Sequence, residues 1–255
     1  MVSQKQIVNY LNETLNIDKI KDNSVNGLQV SREDDAEEIR RIGFAVDASL
    51  ETFERAKDAN CEILIVHHGL FWEKPEPIVG YTHKRISFLI KNNIALYAVH
   101  LPLDKHEVYG NAAQFAQDLG LKSLSDFGEY HGELVGVKGE FEHEKNIMDI
   151  IQEIKEKLKL DKIKAMPFGR KDIRTVGIVT GGAAWQVKDA IDQELDLFIT
   201  GEPSHSIYHI AKDSGMNVIF GGHYATEKYG VKALAQLLKE RFYLEVGFID
   251  VPTDL

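Results

Sequence analysis

Hydrophobic residues recur along the chain in two alternating patterns, short apolar runs and longer amphipathic stretches. The apolar runs, which predict strands, lie at residues 39–46, 62–66 and 94–99. The amphipathic stretches, which predict helices, follow them at 50–59, 83–92 and 111–119. Strands that alternate with helices are typical of βαβ units, so the pattern predicts an α/β fold with a mainly parallel sheet.

The second half of the chain repeats the order of the first half. Residues 173–178 align with residues 39–44 at an offset of 134 (173 − 39), with matching apolar positions. At the same offset and without a gap, residues 197–200 align with residues 63–66. The alignment indicates two related units, although chance similarity between short β-rich segments is an alternative.

A third match completes the repeat at a slightly different offset. Residues 223–227 align with residues 100–104, at an offset of 123 (223 − 100). We therefore predict that residues 1–255 form a single unit of two related, three-layer-like α/β lobes. The lobes cover approximately residues 1–125 and 126–255.

Composition and charge exclude several classes of protein. The formal net charge is −10, which argues against a surface that coats nucleic acid or an anionic membrane. The single cysteine, Cys61, permits no disulfide within the chain and no cluster of thiolates. This composition predicts a protein of the reducing cytoplasm whose metal ligands are histidines and carboxylates.

No apolar stretch of the sequence is long enough for a membrane-spanning helix, which needs about 18 residues or more. Near the N-terminus, Ser3 is a suitable N-cap for an amphipathic helix with Ile7, Leu11 and Leu15 on one side. That pattern differs from the apolar core of a signal peptide. We expect a cytoplasmic protein without membrane contact.

Two adjacent histidines, His67 and His68, follow the apolar run at residues 61–66, and Gly69 closes the run. Ligands of open α/β sheets gather at the carboxyl ends of the strands. Since successive side chains of a strand point to opposite faces, the pair is poorly arranged to share one ion. One ion for each histidine suggests two metals, and two histidines that merely cap a strand are the alternative.

Two pairs of an imidazole and a carboxylate follow at later strand ends, His100 with Asp104 and His223 with Glu227. Residues four apart lie on one face if a helix begins there, which we predict for the second pair. Pro102 favours a loop for the first pair. With the adjacent histidines, these side chains could meet in the cleft between the lobes and bind divalent ions of the borderline type.

These motifs resemble those of the Nif-three-like dinuclear-metal-centre proteins, many of which are called homologues of GTP cyclohydrolase I type two. The matching motifs span almost the whole chain. They are Asn26-Gly27-Leu28-Gln29-Val30, the His67-His68 tip, His100 to Asp104, Thr200-Gly201-Glu202 and Gly222-His223-Tyr224-Ala225-Thr226-Glu227. The chain departs from a common form of the pattern, because Leu101-Pro102 stands where a Thr-Asn pair is common.

The resemblance implies a site for two divalent cations, either Zn, Fe or Mn. Its metal ligands would be His67, His68, Asp104, His223 and Glu227, with Glu227 bridging the two ions. The resemblance assigns His100 and Glu202 to supporting a ligand or transferring a proton. The alignment of His100 with His223 favours a ligand instead, and Glu202 could be a solvated loop acid. The resemblance also implies a toroidal homohexamer with the sites facing an internal cavity.

Two hypotheses about function follow. The first is a metal-dependent hydrolase of a nucleotide-like small molecule, because two ions about 3.5–4 Å apart activate a bound water and clamp the reacting oxygens. The second is a metal-binding hexameric adaptor or regulatory protein for a protein or DNA partner. The chain has no Gly-x-x-x-x-Gly-Lys phosphate loop, and Gly181-Gly182 could approach a phosphate or simply form a turn.

Overall fold

The structure, a computed structural model, describes residues 2–74 and 76–255. Contacts within the chain define two compact units, each assembled from two segments. The first unit combines Met1–Leu103 with Gly230–Val251, and the second combines Asp104–Tyr229 with Pro252–Leu255. The division into lobes of about 1–125 and 126–255 stays a prediction.

The first unit contains a five-stranded sheet and a short two-stranded one. Its strands are β1 (Val2–Ser3), β2 (Gly27–Val30), β3 (Glu38–Ile39), β4 (Arg41–Asp47), β5 (Ile63–His68), β6 (Ala95–Ala98) and β13 (Glu245–Phe248). The order across the larger sheet is β13-β4-β5-β6-β2, and β1 pairs with β3. The first four strands of that order are parallel, and β2 is antiparallel to β6.

Helices follow the strands of the first unit as the amphipathic pattern predicts. They are α1 (Gln4–Leu15), α2 (Leu50–Asp58) and α3 (Gly80–Lys91), while α4 (Leu101–Asp104) and α10 (Lys228–Phe242) contain the points where the units divide. At the start of α1, Ser3 and Gln6 form a capping box, which satisfies two backbone N–H groups. The predicted N-cap is therefore confirmed, and Ile7, Leu11 and Leu15 are buried.

The second unit contains a six-stranded mixed sheet. Its strands are β7 (Lys122–Tyr130), β8 (Glu133–Asn146), β9 (Lys164–Pro167), β10 (Asp172–Ile178), β11 (Leu197–Thr200) and β12 (Asn217–Phe220). The order is β7-β8-β10-β11-β12-β9, with β10, β11 and β12 parallel and the remaining pairs antiparallel. Its helices are α5 (Asn111–Asp118), α6 (Ile147–Leu158), α7 (Val187–Asp192), α8 (Tyr208–Ser214) and α9 (His223–Thr226).

The predicted repeat is confirmed in the hydrogen-bonding register of the sheets. Ile42 of β4 lies opposite Ile63 of β5, and Val176 of β10 lies opposite Leu197 of β11. Both members of the second pair follow those of the first at the same offset of 134 (176 − 42 and 197 − 63). The two units therefore build the same parallel core, and the α/β fold class is confirmed.

A one-residue difference separates the two copies after their third strand. The last residues of β6 and β12, Ala98 and Phe220, differ by 122 (220 − 98), whereas His100 and His223 differ by 123. The loop before His223 is thus one residue longer, and its Gly222 has a φ of +83°, which favours glycine.

The described residues form no helix that is both long enough and apolar enough to cross a bilayer.

Candidate metal centre

Three imidazoles meet at the carboxyl end of the sheet in the first unit. His67 and His68 end β5, and His100 follows β6. Their ring centroids are 4.7 Å apart for His67 and His68, 5.0 Å for His67 and His100, and 5.7 Å for His68 and His100. One nitrogen of each ring lies within 4.8 Å of the others, so these residues, the imidazole cluster, could hold a metal ion.

The two adjacent histidines are anchored on opposite neighbouring strands. His67 is fully buried, and its Nδ1 lies 2.9 Å from the carbonyl oxygen of Val99, just after β6. His68 Nδ1 lies 2.8 Å from Oδ1 of Asp47, its partner across the β4–β5 ladder. The alternation of side chains therefore sets where each ring is anchored. The expectation that it keeps the pair from sharing one ion stays a prediction.

The third imidazole is held by a buried carboxylate in the loop before β2. His100 Nδ1 lies 3.0 Å from Oδ1 of Asp22, whose side chain is only 3% exposed. Asp22 also accepts hydrogen bonds from the backbone N–H groups of Ser24 and Leu101 and from the Asn26 amide. Burial raises the pKa of Asp22, but the hydrogen bonds and charge of His100, with the bonds from Asn26 and Ser24, outweigh it and lower the pKa to about 2.

Gly69 permits a close approach that fixes the end of β5. A Cβ at this position would lie 2.3 Å from Nε2 of Gln29 and 2.6 Å from Cβ of Ala98. Because glycine leaves this space, Gln29 accepts a hydrogen bond from Leu70 N–H at 2.7 Å and donates one to the Val25 carbonyl at 2.7 Å. The Asn26 to Val30 motif thus connects the histidine tip to the preceding loop.

In the second unit an imidazole lies between two carboxylates. His223 Nδ1 is 2.6 Å from Oε1 of Glu202, and its Nε2 is 3.0 Å from Oε2 of Glu227. The short helix α9 begins at His223, so the predicted placement of His223 and Glu227 on one face is confirmed. Burial lowers the pKa of His223, but the hydrogen bonds and charges of Glu227 and then Glu202 outweigh it and raise the pKa to about 9.

Asp104 belongs to the same unit and lies near Glu227. One carboxylate oxygen of each residue lies within 4.8 Å of the other, and both residues are buried. Asp104 Oδ1 accepts a hydrogen bond of 2.8 Å from the amide of Asn111. The loop predicted at Pro102 was wrong, because residues 101–104 form α4. Proline is compatible with the first turn of a helix, where its missing N–H has no partner to lose.

Gly181 forms a turn that leaves room for Glu227. Its N–H donates to Oγ1 of Thr226 at 3.1 Å, and its carbonyl accepts from the N–H groups of Gly201 and Glu202. These bonds form the turn that is one of the two roles the sequence permits for Gly181-Gly182, and an approach to a phosphate stays untested. Gly181 has a φ of +67°, and a Cβ here would lie 2.1 Å from Oε1 of Glu227.

The structure therefore places every predicted site residue, within its own unit, beside another one. It brings together His67, His68 and His100 in the first unit and Asp104, Glu202, His223 and Glu227 in the second. Joint binding of two ions in a cleft between the lobes stays a prediction.

Sequence reasoning missed three residues that hold these side chains, namely Asp22, Asp47 and Asn111. Asp47 ends β4, so the strand-end argument that selected His67 applies to it equally. The partnership of Asp22 with His100 joins positions 78 apart in the sequence and has no local signal.

The donor atoms fit a divalent cation of the borderline type. A carbonyl oxygen only accepts hydrogen bonds, so His67 carries its proton on Nδ1 and its Nε2 lone pair is available to a metal ion. Carboxylates impose the same arrangement on His68 and His100. Metal-ligating histidines usually donate their other ring N–H to a carboxylate or backbone carbonyl, as these do.

Comparison with known proteins identifies relatives that match the whole chain. A family model described as Duf34/NIF3 (NGG1p interacting factor 3) matches residues 2–254. A "GTP cyclohydrolase 1 type 2 homolog" from Pyrococcus horikoshii is 44% identical over 254 residues, which is 100% of both chains. A protein of the same name from Archaeoglobus fulgidus is 41% identical and covers 98% of both chains.

Solved structures also match the chain over its whole length. A crystal structure from Thermus thermophilus has a TM-score of 0.89 and 39% identity, with 100% of both chains covered. The structure of ybgI, described as having unknown function, has a TM-score of 0.90 and 33% identity over 100% of both chains. At 22% identity, HcgD from Methanocaldococcus jannaschii shares the fold, with a TM-score of 0.85.

Proposed function

Because the chain belongs to the Duf34/NIF3 family, we propose that it binds two divalent metal ions and uses them to hydrolyse a nucleotide-like small molecule. The names of its relatives, homologues of GTP cyclohydrolase 1 type 2, support this substrate class. GTP cyclohydrolase chemistry adds water to the imidazole ring of guanine and releases formate. The reaction class is therefore hydrolytic and its target is a purine ring.

The arrangement of Nδ1 partners is the observation that carries the proposal. All four imidazoles of the candidate centre have Nδ1 bound to an acceptor: Val99 for His67, Asp47 for His68, Asp22 for His100 and Glu202 for His223. This arrangement fixes the ring orientation and makes Nε2 the donor atom, which is what metal ligands require.

We propose His67, His68, Asp104, His223 and Glu227 as the ligands, with Glu227 as the bridge. The imidazoles are neutral donors, whereas Asp104 and Glu227 are buried acids that offset the charge of two cations. Imidazole with carboxylate suits Zn, Fe or Mn.

Two bound divalent ions would lower the pKa of water and stabilise the developing negative charge of a hydrolysis. The chain's own residues provide the rest of the machinery. Asp22 orients His100, so that its imidazole is positioned to accept or return a proton at Nε2. Glu202 orients His223 in the same way. In this proposal His100 and Glu202 support ligands and move protons.

An adaptor function remains the second candidate because the first unit carries exposed apolar side chains. Ile78, Val79 and Tyr81 are 55%, 66% and 67% exposed, and such clusters mark interaction surfaces. The family description, NGG1p interacting factor 3, refers to a protein partner of the family's namesake. Self-association is the simplest use of such a surface, and we propose a toroidal homohexamer.

Metal analysis of the purified chain, followed by a nucleotide-hydrolysis screen, tests the main proposal. We expect close to two divalent ions per chain by plasma mass spectrometry after reconstitution with zinc, iron or manganese. Less than about half an ion per chain would refute the dinuclear site. Two bound ions without hydrolysis of any purine nucleotide would favour the adaptor.

Light scattering tests the assembly independently of the chemistry. A mass near six chains is expected at micromolar concentration. A clean monomer at that concentration would refute the ring.

A further inference from the structure

Trp72 is an exposed aromatic residue at the edge of the imidazole cluster. It follows the His67-His68-Gly69 tip, and its ring centroid lies 5.1 Å from that of His100 and 6.1 Å from that of His68. The indole and the His100 ring are inclined by 71°, so the two rings do not stack on each other. Trp72 consequently remains 39% exposed.

The indole of Trp72 is hydrogen-bonded to the backbone, and the main chain that carries it is paired with a neighbouring segment. Its Nε1–H donates to the carbonyl of Gly69 at 3.2 Å. Ser24 forms an isolated antiparallel bridge with Trp72, and Val25 N–H donates to the Phe71 carbonyl at 3.0 Å. Because the indole makes one hydrogen bond and its own backbone segment is paired with residues 24–25, binding a ligand costs less conformational entropy than ordering a free side chain would.

The loop that holds Trp72 also holds His100. Asp22 and Asn26 bind His100 through its Nδ1 and its backbone N–H, the latter at 2.7 Å from Asn26 Oδ1. The segment 22–26 thus fixes an imidazole and an aromatic face beside each other. This common support is expected of a binding site rather than of an incidental surface tryptophan.

We propose that Trp72 is the stacking surface for a planar purine-type ring that is presented to the imidazole cluster. The inference deepens the proposed function, on which it rests for the substrate class. The chain has no Gly-x-x-x-x-Gly-Lys phosphate loop, so affinity for a nucleotide must come from elsewhere. Stacking on an exposed aromatic ring supplies it, because every base has a π-face.

The second tryptophan provides a matched control. The chain has two tryptophans, and Trp185 is 51% exposed in the second unit, where Lys188 Nζ lies 5.0 Å from its ring. Trp185→Phe leaves Trp72 as the one tryptophan, so its fluorescence reports directly on ligands near the imidazole cluster.

The experiment measures guanosine binding to the metal-reconstituted full chain. In the Trp185→Phe protein, guanosine should quench the fluorescence of Trp72, whereas ribose 5-phosphate, which lacks a base, should not. By equilibrium dialysis, Trp72→Leu should bind guanosine about fivefold more weakly or worse. Trp72→Phe should retain most of the affinity, and Trp185→Leu should match the unaltered protein. Metal content should be unchanged in every variant.

Three results would overturn the assignment. They are unchanged guanosine affinity in Trp72→Leu, no guanosine binding by the unaltered protein at millimolar concentration, and a change of oligomeric mass in Trp72→Leu. The last would identify Trp72 as a subunit contact. Guanosine binding that depends on Trp72 in a protein that binds no metal would support the stacking surface and refute the dinuclear hydrolase.

Discussion

The tips of β5 and β11 occupy equivalent positions in the two sheets but carry different chemistry. Both strands pair with their neighbours in the same register, at the offset that relates the two units. In the first unit the tip is His67-His68, whose imidazoles are held by the Val99 carbonyl and the Asp47 carboxylate. In the second it is Gly201-Glu202, and carboxylates flank the single imidazole of His223.

The comparison shows that the repeated backbone determines the positions of the polar side chains at the strand ends but not their residue types. The first unit offers imidazole nitrogens, and Asp47 and Asp22 hold the rings of His68 and His100. The second supplies negative charge on Glu227 and Asp104, together with an imidazole of raised pKa. Substitutions in the two units should therefore fail in different ways.

The largest effect on metal binding is expected when the negative charge of Glu227 in the second unit is removed. Glu227→Gln keeps the shape and one acceptor oxygen but removes the charge that offsets the repulsion between two cations. We expect the loss of at least one of two ions, measured by plasma mass spectrometry, and of any hydrolase activity. The fold should survive, because burial supplies most of its stability and metal binding adds only by linkage.

Glu129→Gln is the matched control for that experiment. Glu129 is exposed, and its backbone N–H and carbonyl make its hydrogen bonds to Asp189 and Gln186. If Glu227→Gln still bound two ions with unchanged affinity, the bridge would have to be reassigned to Asp104.

Substitution of the carboxylates that hold the imidazoles should reduce metal affinity by a smaller amount, and it should do so in both units. Asp47→Asn and Glu202→Gln each remove a carboxylate that holds Nδ1, of His68 and His223 respectively. Such supports typically contribute about 10–100-fold to metal affinity, and we expect losses of that order in competition titrations with a chelator. Wild-type affinity in either variant would show that its imidazole is not a ligand, and Asp58→Asn serves as an exposed control.

Asp22 should contribute to the free energy of unfolding rather than to neutralising bound cations. Its folded-state pKa of about 2 lies below the reference value of 3.8, so its stabilisation is present above about pH 4 and is lost as pH falls towards 2. We expect Asp22→Asn to cost about 2 kcal/mol at pH 7 in urea unfolding and much less at pH 2. An equal cost at both pH values would show that the carboxylate charge has no part in it.

The smallest effect concerns the titration of His223 in the metal-free protein. NMR should give a pKa of about 9, and Glu202→Gln should lower it towards the reference value of 6.5. Because the folded-state pKa is raised, this stabilisation is complete below about pH 6.5 and disappears as pH rises through 9. A pKa near 6.5 in the unaltered protein would contradict the described contacts.

Much of the fold was predictable from the sequence because its signals are local. The apolar runs became β4, β5 and β6, and the amphipathic stretches became α2, α3 and α5, with shifts of a few residues at their ends. One rule identifies the candidate metal ligands, namely that open α/β sheets bind their ligands at the carboxyl ends of the strands. That rule selected His67, His100 and His223.

The features that escaped prediction depend on contacts between distant residues. The loop anchor Asp22 meets His100 only in the folded chain. Pro102 favours a loop in the sequence, yet proline fits the first turn of a helix because its missing N–H would have no partner there.

The pairing of β13 with β4 has a consequence for how the chain is made. Glu245 lies opposite Arg41, so the first sheet gains its last strand only after residues 245–248 have left the ribosome, about 200 residues after β4. Until then β4 presents an open edge, and open edges recruit strands from other chains. Such distant pairing also slows folding. During synthesis, this edge is where we expect chaperones to bind and misassembly to begin.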